Sequence, residues 1–567
     1  MNCPSRTDEP EGMGMNQSPP SLSAELTTRA DLNGMANSRA LRRSEEGEPY
    51  LVVDSNDDEP GRGNSGVVVT EGVGEDGDGP SKSGGGGVVN RLMRARDVVK
   101  KFGKFMGPGM MIAVAYIDPG NYSTDVAAGA SYQFKLLFIV LMSNIFAIFL
   151  QSLCIKLGSV SGLNLAEACK EFLPKWLNIC LYIMAEAAII ATDIAEVIGT
   201  AIAINLLIPQ IPLVVGCALS ICDVLLILLF YNPNGSMKGL RIFEMFVAAL
   251  VLGVVVCFCI QLAMIEDTSV GEVFKGYLPS SAIIQSQGLY QACGILGATV
   301  MPHSLYLGSG IVQPRLQDYD RKHGIGTSPS TAALRQSTSH ISTDKEPYYP
   351  SLSAINYCMK MSIIELCICL FTFALFVNSA ILITAGSALY TGPNGDVGDA
   401  DLFGIHNLLS SNIAPVAGTV FALALLLSGI SAGIVCTIAG QMVSEGALNW
   451  SLRPWLRRLI TRSISITPSI IIAGAVGKEG LSAALNGSQV ALSVALPFVS
   501  APLIYFTCRN KYMTVKPHEM PDGDELDAEN EGVKMRNNWI TTTFAVTIWL
   551  IMCVMNVANL VLLGKGQ

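Results

Sequence analysis

Gly107-Pro108-Gly109-Met110-Met111-Ile112-Ala113-Val114-Ala115-Tyr116-Ile117-Asp118-Pro119-Gly120-Asn121 is an apolar run with a carboxylate, a proline and an amide set into it. A counterpart, its proline 183 residues on from Pro119, is Gly294-Ile295-Leu296-Gly297-Ala298-Thr299-Val300-Met301-Pro302-His303-Ser304. Proline removes a backbone donor and clashes with the preceding turn, so each helix must open at this point. Opened backbone at bilayer depth persists only where it is buried in protein or lines a cavity. Two interrupted helices in corresponding halves of a chain mark the substrate site of a transporter.

The composition fits a membrane protein. Of 567 residues, 50% are hydrophobic and 15% charged, and the mean hydropathy is +0.43. Much of the acid behind the net charge of −9 lies in the first ninety residues, where Gly, Ser, Pro, Asp and Glu dominate. That stretch cannot bury enough surface to offset its ordering entropy, so residues 1–90 are expected to form a disordered tail. No apolar stretch follows the first methionine, so it is not read as a signal peptide.

About 20 apolar residues cross a bilayer. Eleven spans are expected, near 105–127, 135–158, 176–207, 212–231, 241–264, 288–312, 359–386, 414–440, 456–475, 484–507 and 538–562. Lys and Arg, which favour cytoplasmic connections, fall in alternate loops, beginning with Arg91, Arg94, Arg96, Lys100, Lys101 and Lys104. The N-terminus is therefore expected in the cytoplasm and the C-terminus outside or in a lumen, while the segment 387–413, with Asp396, Asp399 and Asp401, faces outward. Spans 1–5 and 6–10 each begin with a proline-broken helix, and an odd repeat length inverts the second copy. The expected fold is all-α, an inverted five-helix repeat of the leucine-transporter type (105–264 and 288–507) plus an extra helix at 538–562, within a transporter domain over 91–567.

Most of the 15 cysteines sit in spans, among them Cys257, Cys259, Cys367, Cys369 and Cys436. Cys-x-Cys on a helix splits its thiols between faces, so packing is the better reading than a metal cluster or a disulfide.

An aspartate deep in a span is a functional candidate by default. Asp118 offers a carboxylate, Asn121 a neutral oxygen, and the opened turn frees carbonyls, that of Ala115 first. Met301 directly precedes the second break, where its thioether can face the same cavity. Oxygen plus thioether suits Mn2+, Fe2+ and softer ions and gives Ca2+ and Mg2+ a poor shell. Packing stays open as the role of Met301, and a structural ion pair as that of Asp118. In the third span Glu186, Asp193 and Glu196 share one helix face. Such clustered carboxylates suit a proton relay, or else a network tying helices together, with Arg462 as counter-ion. Glu365, Asp223 and Glu244 read as packing or interfacial residues.

Asp118-Pro-Gly-Asn121 in the first span with Met301-Pro-His303 in the sixth resembles the Nramp family of proton-coupled divalent-metal transporters. The resemblance runs over about 103–563 and includes Ala191-Thr-Asp-Ile-Ala-Glu-Val-Ile-Gly199 and Gly440-Gln-Met-Val-Ser-Glu445-Gly446. Within the family the chain is most similar to fungal manganese transporters. The resemblance implies that Asp118, Asn121 and Met301 bind metal, that the carbonyls of Ala115 and Ala298 contribute, and that Gln489 approaches the ion on occlusion. It places Asp118, His303, Glu186, Asp193, Glu196 and Arg462 on the proton route. Many relatives carry a second histidine where this chain has Gly308.

The expected function is secondary active symport of Mn2+ and/or Fe2+ with protons toward the cytoplasm, from a plasma, endosomal or vacuolar membrane. No enzymatic activity, no cofactor beyond the transported ions and no nucleic-acid partner is expected; the partners are divalent metal ions, protons and the lipid bilayer. No Gly-x-x-x-x-Gly-Lys-Ser/Thr loop is present to support ATP drive. The alternatives are a sodium-coupled amino-acid carrier on the same fold, which leaves the Asp, Asn and Met trio unexplained, and a transporter-like membrane sensor.

Overall fold

Proline sets the architecture at two points. Pro119 has no N–H for the carbonyl of Ala115, and Pro302 has none for that of Ala298. The computed structural model, which describes residues 107–222, 237–265, 268–324, 348–390, 401–448, 454–515 and 532–565, duly breaks both helices there. The expected disordered tail, the basic run from Arg91 to Lys104, Asp223, Asp396 and Asp399 lie outside the described residues.

The first break separates α1 (Pro108–Val114) from α2 (Pro119–Tyr132). Then come α3 (Leu137–Ser161), α4 (Leu165–Phe172), α5 (Lys175–Leu207), α6 (Leu213–Leu219), α7 (Met237–Ala263) and α8 (Val270–Gly276). The second break divides α9 (Ser286–Thr299) from α10 (Pro302–Gly310), which α11 (Gln313–Lys322) follows. The remaining helices are α12 (Leu352–Ala388), α13 (Leu402–Leu408), α14 (Pro415–Leu448), α15 (Pro454–Ala475), α16 (Lys478–Thr507) and α17 (Trp539–Gly564).

Eight helical stretches among the described residues are long and apolar enough to cross a bilayer: α3, α5, α7, the run α9–α11, α12, α14, α16 and α17. The other three expected spans correspond to the broken pair α1–α2, to α6 and to α15, residues 223–236 lying outside the described residues. The first span runs on past its expected end near 127 to Tyr132, with Asp118 and Pro119 starting its second half as a fresh helix. Proline at the first helical position costs nothing, since its missing N–H would have had no partner there. The sequence also gave no sign of the π-helical turns in α12, at Ile355–Met359 and Leu370–Ala374.

The fold is the inverted repeat, and its packing comes in related pairs. α2 lies along α12 and, in the other copy, α10 lies along α3. Likewise α16 packs on α5 as α7 packs on α14, and the central helices α5 and α14 pack on each other. Large apolar side chains such as Ile242, Met245, Phe371 and Val554 point out of the bundle, while Asp118, Asn121, Glu196, Arg462 and Gln489 are buried within it. That distribution suits a protein whose solvent is hydrocarbon.

Candidate functional site

The two breaks have the same local design. Asp118 is the N-cap of α2, its carboxylate accepting the N–H groups of Gly120 and Asn121 at 3.0 Å each. Met301 is the N-cap of α10 and stands at the corresponding place before its proline. Ala115 and Ala298 lie three residues before Asp118 and Met301, each with a proline where its carbonyl's helical donor would be. The C-terminal ends of α1 and α9 thus bring carbonyl oxygen and negative dipole ends to the middle of the bundle, where they favour a cation.

Asn121 is the hub. Its amide nitrogen donates to Asp118 Oδ1 at 2.6 Å, to the Ala298 carbonyl at 3.1 Å and to the Tyr116 carbonyl at 3.3 Å. Three oxygens from two broken helices therefore converge on one positively polarised group. Asn121 Oδ1 accepts from Thr299 Oγ1 at 3.3 Å and from Asn378 Nδ2 at 3.4 Å. Asn378 also reaches the Tyr116 carbonyl at 3.1 Å, and Ser428 Oγ donates to the Ile117 carbonyl at 2.7 Å. Asp118, Asn121, Ala115, Ala298, Met301 and Gln489 are at most 2% exposed, so the site is closed on every side. Gln489 comes from α16 and lies against Gly120, where a Cβ would stand 2.4 Å from its amide. Its Oε1 is buried without a hydrogen-bond partner.

Beside the site, the Tyr116 hydroxyl meets Ser304 Oγ at 3.1 Å, and Gln151 Nε2 donates at 2.9 Å to the Tyr116 hydroxyl, the Ser304 hydroxyl and the Ser304 carbonyl. A Cβ on Gly308 would stand 1.9 Å from Gln151 Oε1. The glutamine amide fills the space a side chain at 308 would need.

The acids of α5 divide. Asp193 and Glu196 are buried and share the guanidinium of Arg462 from α15: Nη1 is bonded to Asp193 and lies 3.6 Å from Glu196 Oε2. Glu186, two turns earlier, is partly exposed. His303 connects this cluster to the second break, since its Nδ1 is 3.4 Å from the hydroxyl of Thr192, the neighbour of Asp193. Cys436, treated above as packing, lies with Asp193 and Glu196 so that one ligand atom of each falls within 4.8 Å of the others. Glu244 and Glu365 fasten helices together: Glu244 pairs with Arg315 at 3.0 Å, and Glu365 accepts the Gly107 N–H at the start of α1.

A family model described as Nramp, natural resistance-associated macrophage protein-like, matches residues 109–518. The chain belongs to the Nramp family. It is 53% identical over 512 residues to the manganese transporter SMF1 of Saccharomyces cerevisiae, covering 84% of this chain and 88% of that one. To the iron transporter SMF3 of the same yeast it is 53% identical over 421 residues, 74% of this chain and 84% of the relative. Among solved structures, an Eremococcus coleocola manganese transporter superimposes with a TM-score of 0.65 at 30% identity, over 82% of this chain and 87% of that one.

Within this Nramp chain, reading the sequence missed Tyr116, Gln151, Thr192, Thr299, Asn378 and Ser428. Gln151 and Asn378 carried a usable signal, an amide inside a long apolar run, which must find a partner in the bundle. Thr192 and Ser428 carried none, because a hydroxyl in a span can bond its own helix.

Proposed function

We propose that this chain is a proton-coupled symporter that moves divalent transition-metal ions, Mn2+ and/or Fe2+, toward the cytoplasm. The supporting observation is the convergence of Asp118 Oδ1 and the Ala298 and Tyr116 carbonyls on the amide of Asn121. An incoming cation takes the place of that amide nitrogen, and Asn121 turns its oxygen toward the ion. Asp118, Asn121 and Met301 are the principal ligands, joined by the Ala115 and Ala298 carbonyls and by Gln489 as α16 closes on α2. The thioether makes the set poor for Ca2+ and Mg2+. The proton leaves Asp118 by way of His303 and Thr192 to Asp193 and Glu196, held by Arg462, with Glu186 further along α5. The relatives named for manganese and iron support the choice of cargo.

The distribution of Lys and Arg supports a cytoplasmic N-terminus and an outward C-terminus. On this reading residues 1–90 are a cytoplasmic tail, 105–264 and 288–507 are the two repeats, and 538–562 is added to them.

Asp118→Asn tests the cargo site without dismantling α2, since asparagine caps a helix about as well as aspartate. The folded variant is expected to lose both Mn2+ binding in calorimetry and radiolabelled Mn2+ uptake. Wild-type affinity in that variant sinks the assignment.

A further inference from the structure

Asp125 is a buried acid that the mechanism above leaves idle. It is 0% exposed, and neither carboxylate oxygen has a hydrogen-bond partner. It follows Asp118 by seven residues on α2, which puts it about 10.5 Å further along the axis and within about 20° of the same face. Asn121 lies between them, so Asp118, Asn121 and Asp125 form one stripe running from the site toward the Tyr132 end of the helix. With the N-terminus in the cytoplasm, that end is the outward one.

Asp118 on its own helix interacts electrostatically with Asp125, and the charge of Asp125 in turn reaches Tyr277, just after α8. From Leu375 to Ala388, the part of α12 packed along α2 has no titratable side chain. The other helices touching α2 bring titratable groups such as Tyr290 and Cys293 on α9, His406 on α13 and Glu196 on α5. None of these is a base bonded to Asp125. Beyond Asp125 the way out is shut by close packing, for a Cβ on Gly129 would stand 2.6 Å from the Leu382 carbonyl and 2.9 Å from Ala385 Cβ.

An ionised carboxylate with no protein partner in a bilayer-depth interior is costly, so this closed form favours the neutral acid. Parting α2 from α12 would wet it and let it ionise. Its protonation is thus tied to the outward opening, two turns along the same helix face from the cargo site. We propose that Asp125 is the outward proton acceptor of the transport cycle, loading the proton that Asp118 later receives. Hydronium outside gives its proton to the Asp125 carboxylate and leaves water. While the outward path is open the proton passes on through water to the Asp118 carboxylate, and a second hydronium re-protonates Asp125, whose neutral form permits closure. The proposal rests on the proton-coupled reading above and supplies the outward arm of a route whose other members lie beyond Asp118.

The test uses full-length protein in liposomes loaded with a pH dye, recording radiolabelled Mn2+ uptake and internal acidification together. Asp125→Asn, which imitates the neutral form, is expected to keep Mn2+ uptake but lose Mn2+-driven acidification and the stimulation of uptake by external acid; Asp125→Glu restores both. Wild-type coupling in Asp125→Asn overturns the role of Asp125 alone. Absence of acidification in the wild type overturns proton coupling itself, and this proposal with it. Should Asp125→Asn lose Mn2+ binding in calorimetry, the carboxylate belongs to the cargo site or the fold and the proposal is again overturned.

Discussion

Gly120→Ala probes the closest approach in the site. Gly120 is in the first turn of α2, where alanine on its own would favour the helix by about 1 kcal/mol. A Cβ there, however, would stand 2.4 Å from Cδ and Nε2 of Gln489 and 2.7 Å from Oε1. Carbon contacts are comfortable at about 3.5–4.0 Å, so the amide must retreat by roughly 1 Å from a fully buried position. Overpacking of this kind costs about 1–3 kcal/mol, paid only where α16 closes on α2. Gly120→Ala is therefore expected to lower kcat/KM for Mn2+ uptake by about 5- to 150-fold. Gln489→Ala removes the obstacle along with the amide. Adding Gly120→Ala to it should then cost little, and the double-mutant cycle should show a coupling of about 1–3 kcal/mol. The assay is initial-rate uptake by the four proteins, normalised to surface expression. If the two losses simply multiply, or Gly120→Ala alone is harmless, Gln489 does not close on α2 during transport.

Met301→Ala is expected to keep some Mn2+ transport, to weaken Cd2+ binding most and to make uptake sensitive to Ca2+; identical Ca2+ inhibition in competition assays returns Met301 to packing. Asp193→Asn should spare Mn2+ affinity and weaken the pH dependence of uptake. Breaking a buried pair costs about 3–5 kcal/mol, a loss softened here because Glu196 stays 3.6 Å from Arg462; loss of Mn2+ binding with intact proton flux contradicts the relay. Gly308→His puts a side chain where Gln151 Oε1 lies 1.9 Å from the added Cβ. Thermal unfolding in detergent should show a destabilisation of about 1–3 kcal/mol, relieved by Gln151→Ala; an undiminished unfolding temperature refutes that account of the glycine.

How far the sequence could be read depended on whether a residue's role was local. Pro119 and Pro302 break their own helices whatever surrounds them, so the breaks and the repeat followed from the chain alone. Asp193, Glu196 and Arg462 were legible as well, because charge inside a span demands a counter-charge and few cations were available. Gln151, Asn378 and Thr192 matter only through what other helices bring to them, and an amide or hydroxyl does not name its partner. The role of Asn121 was visible only in part. As a ligand it offers an oxygen, yet in this structure its amide nitrogen binds the surrounding oxygens together. Glu186 shows the converse limit: its spacing puts it on the helix face of Asp193, but the bundle leaves it partly exposed there.

Coupling of metal to proton movement is the centre of the account. The most direct test is Mn2+ uptake into liposomes containing the wild-type protein, recorded with the interior pH, with an inward proton gradient and without one. The account predicts that the gradient drives Mn2+ accumulation against its own concentration difference, that Mn2+ in turn accelerates acidification, and that Asp118→Asn abolishes both. Equal Mn2+ uptake with and without the gradient, and no acidification on adding Mn2+, would contradict it.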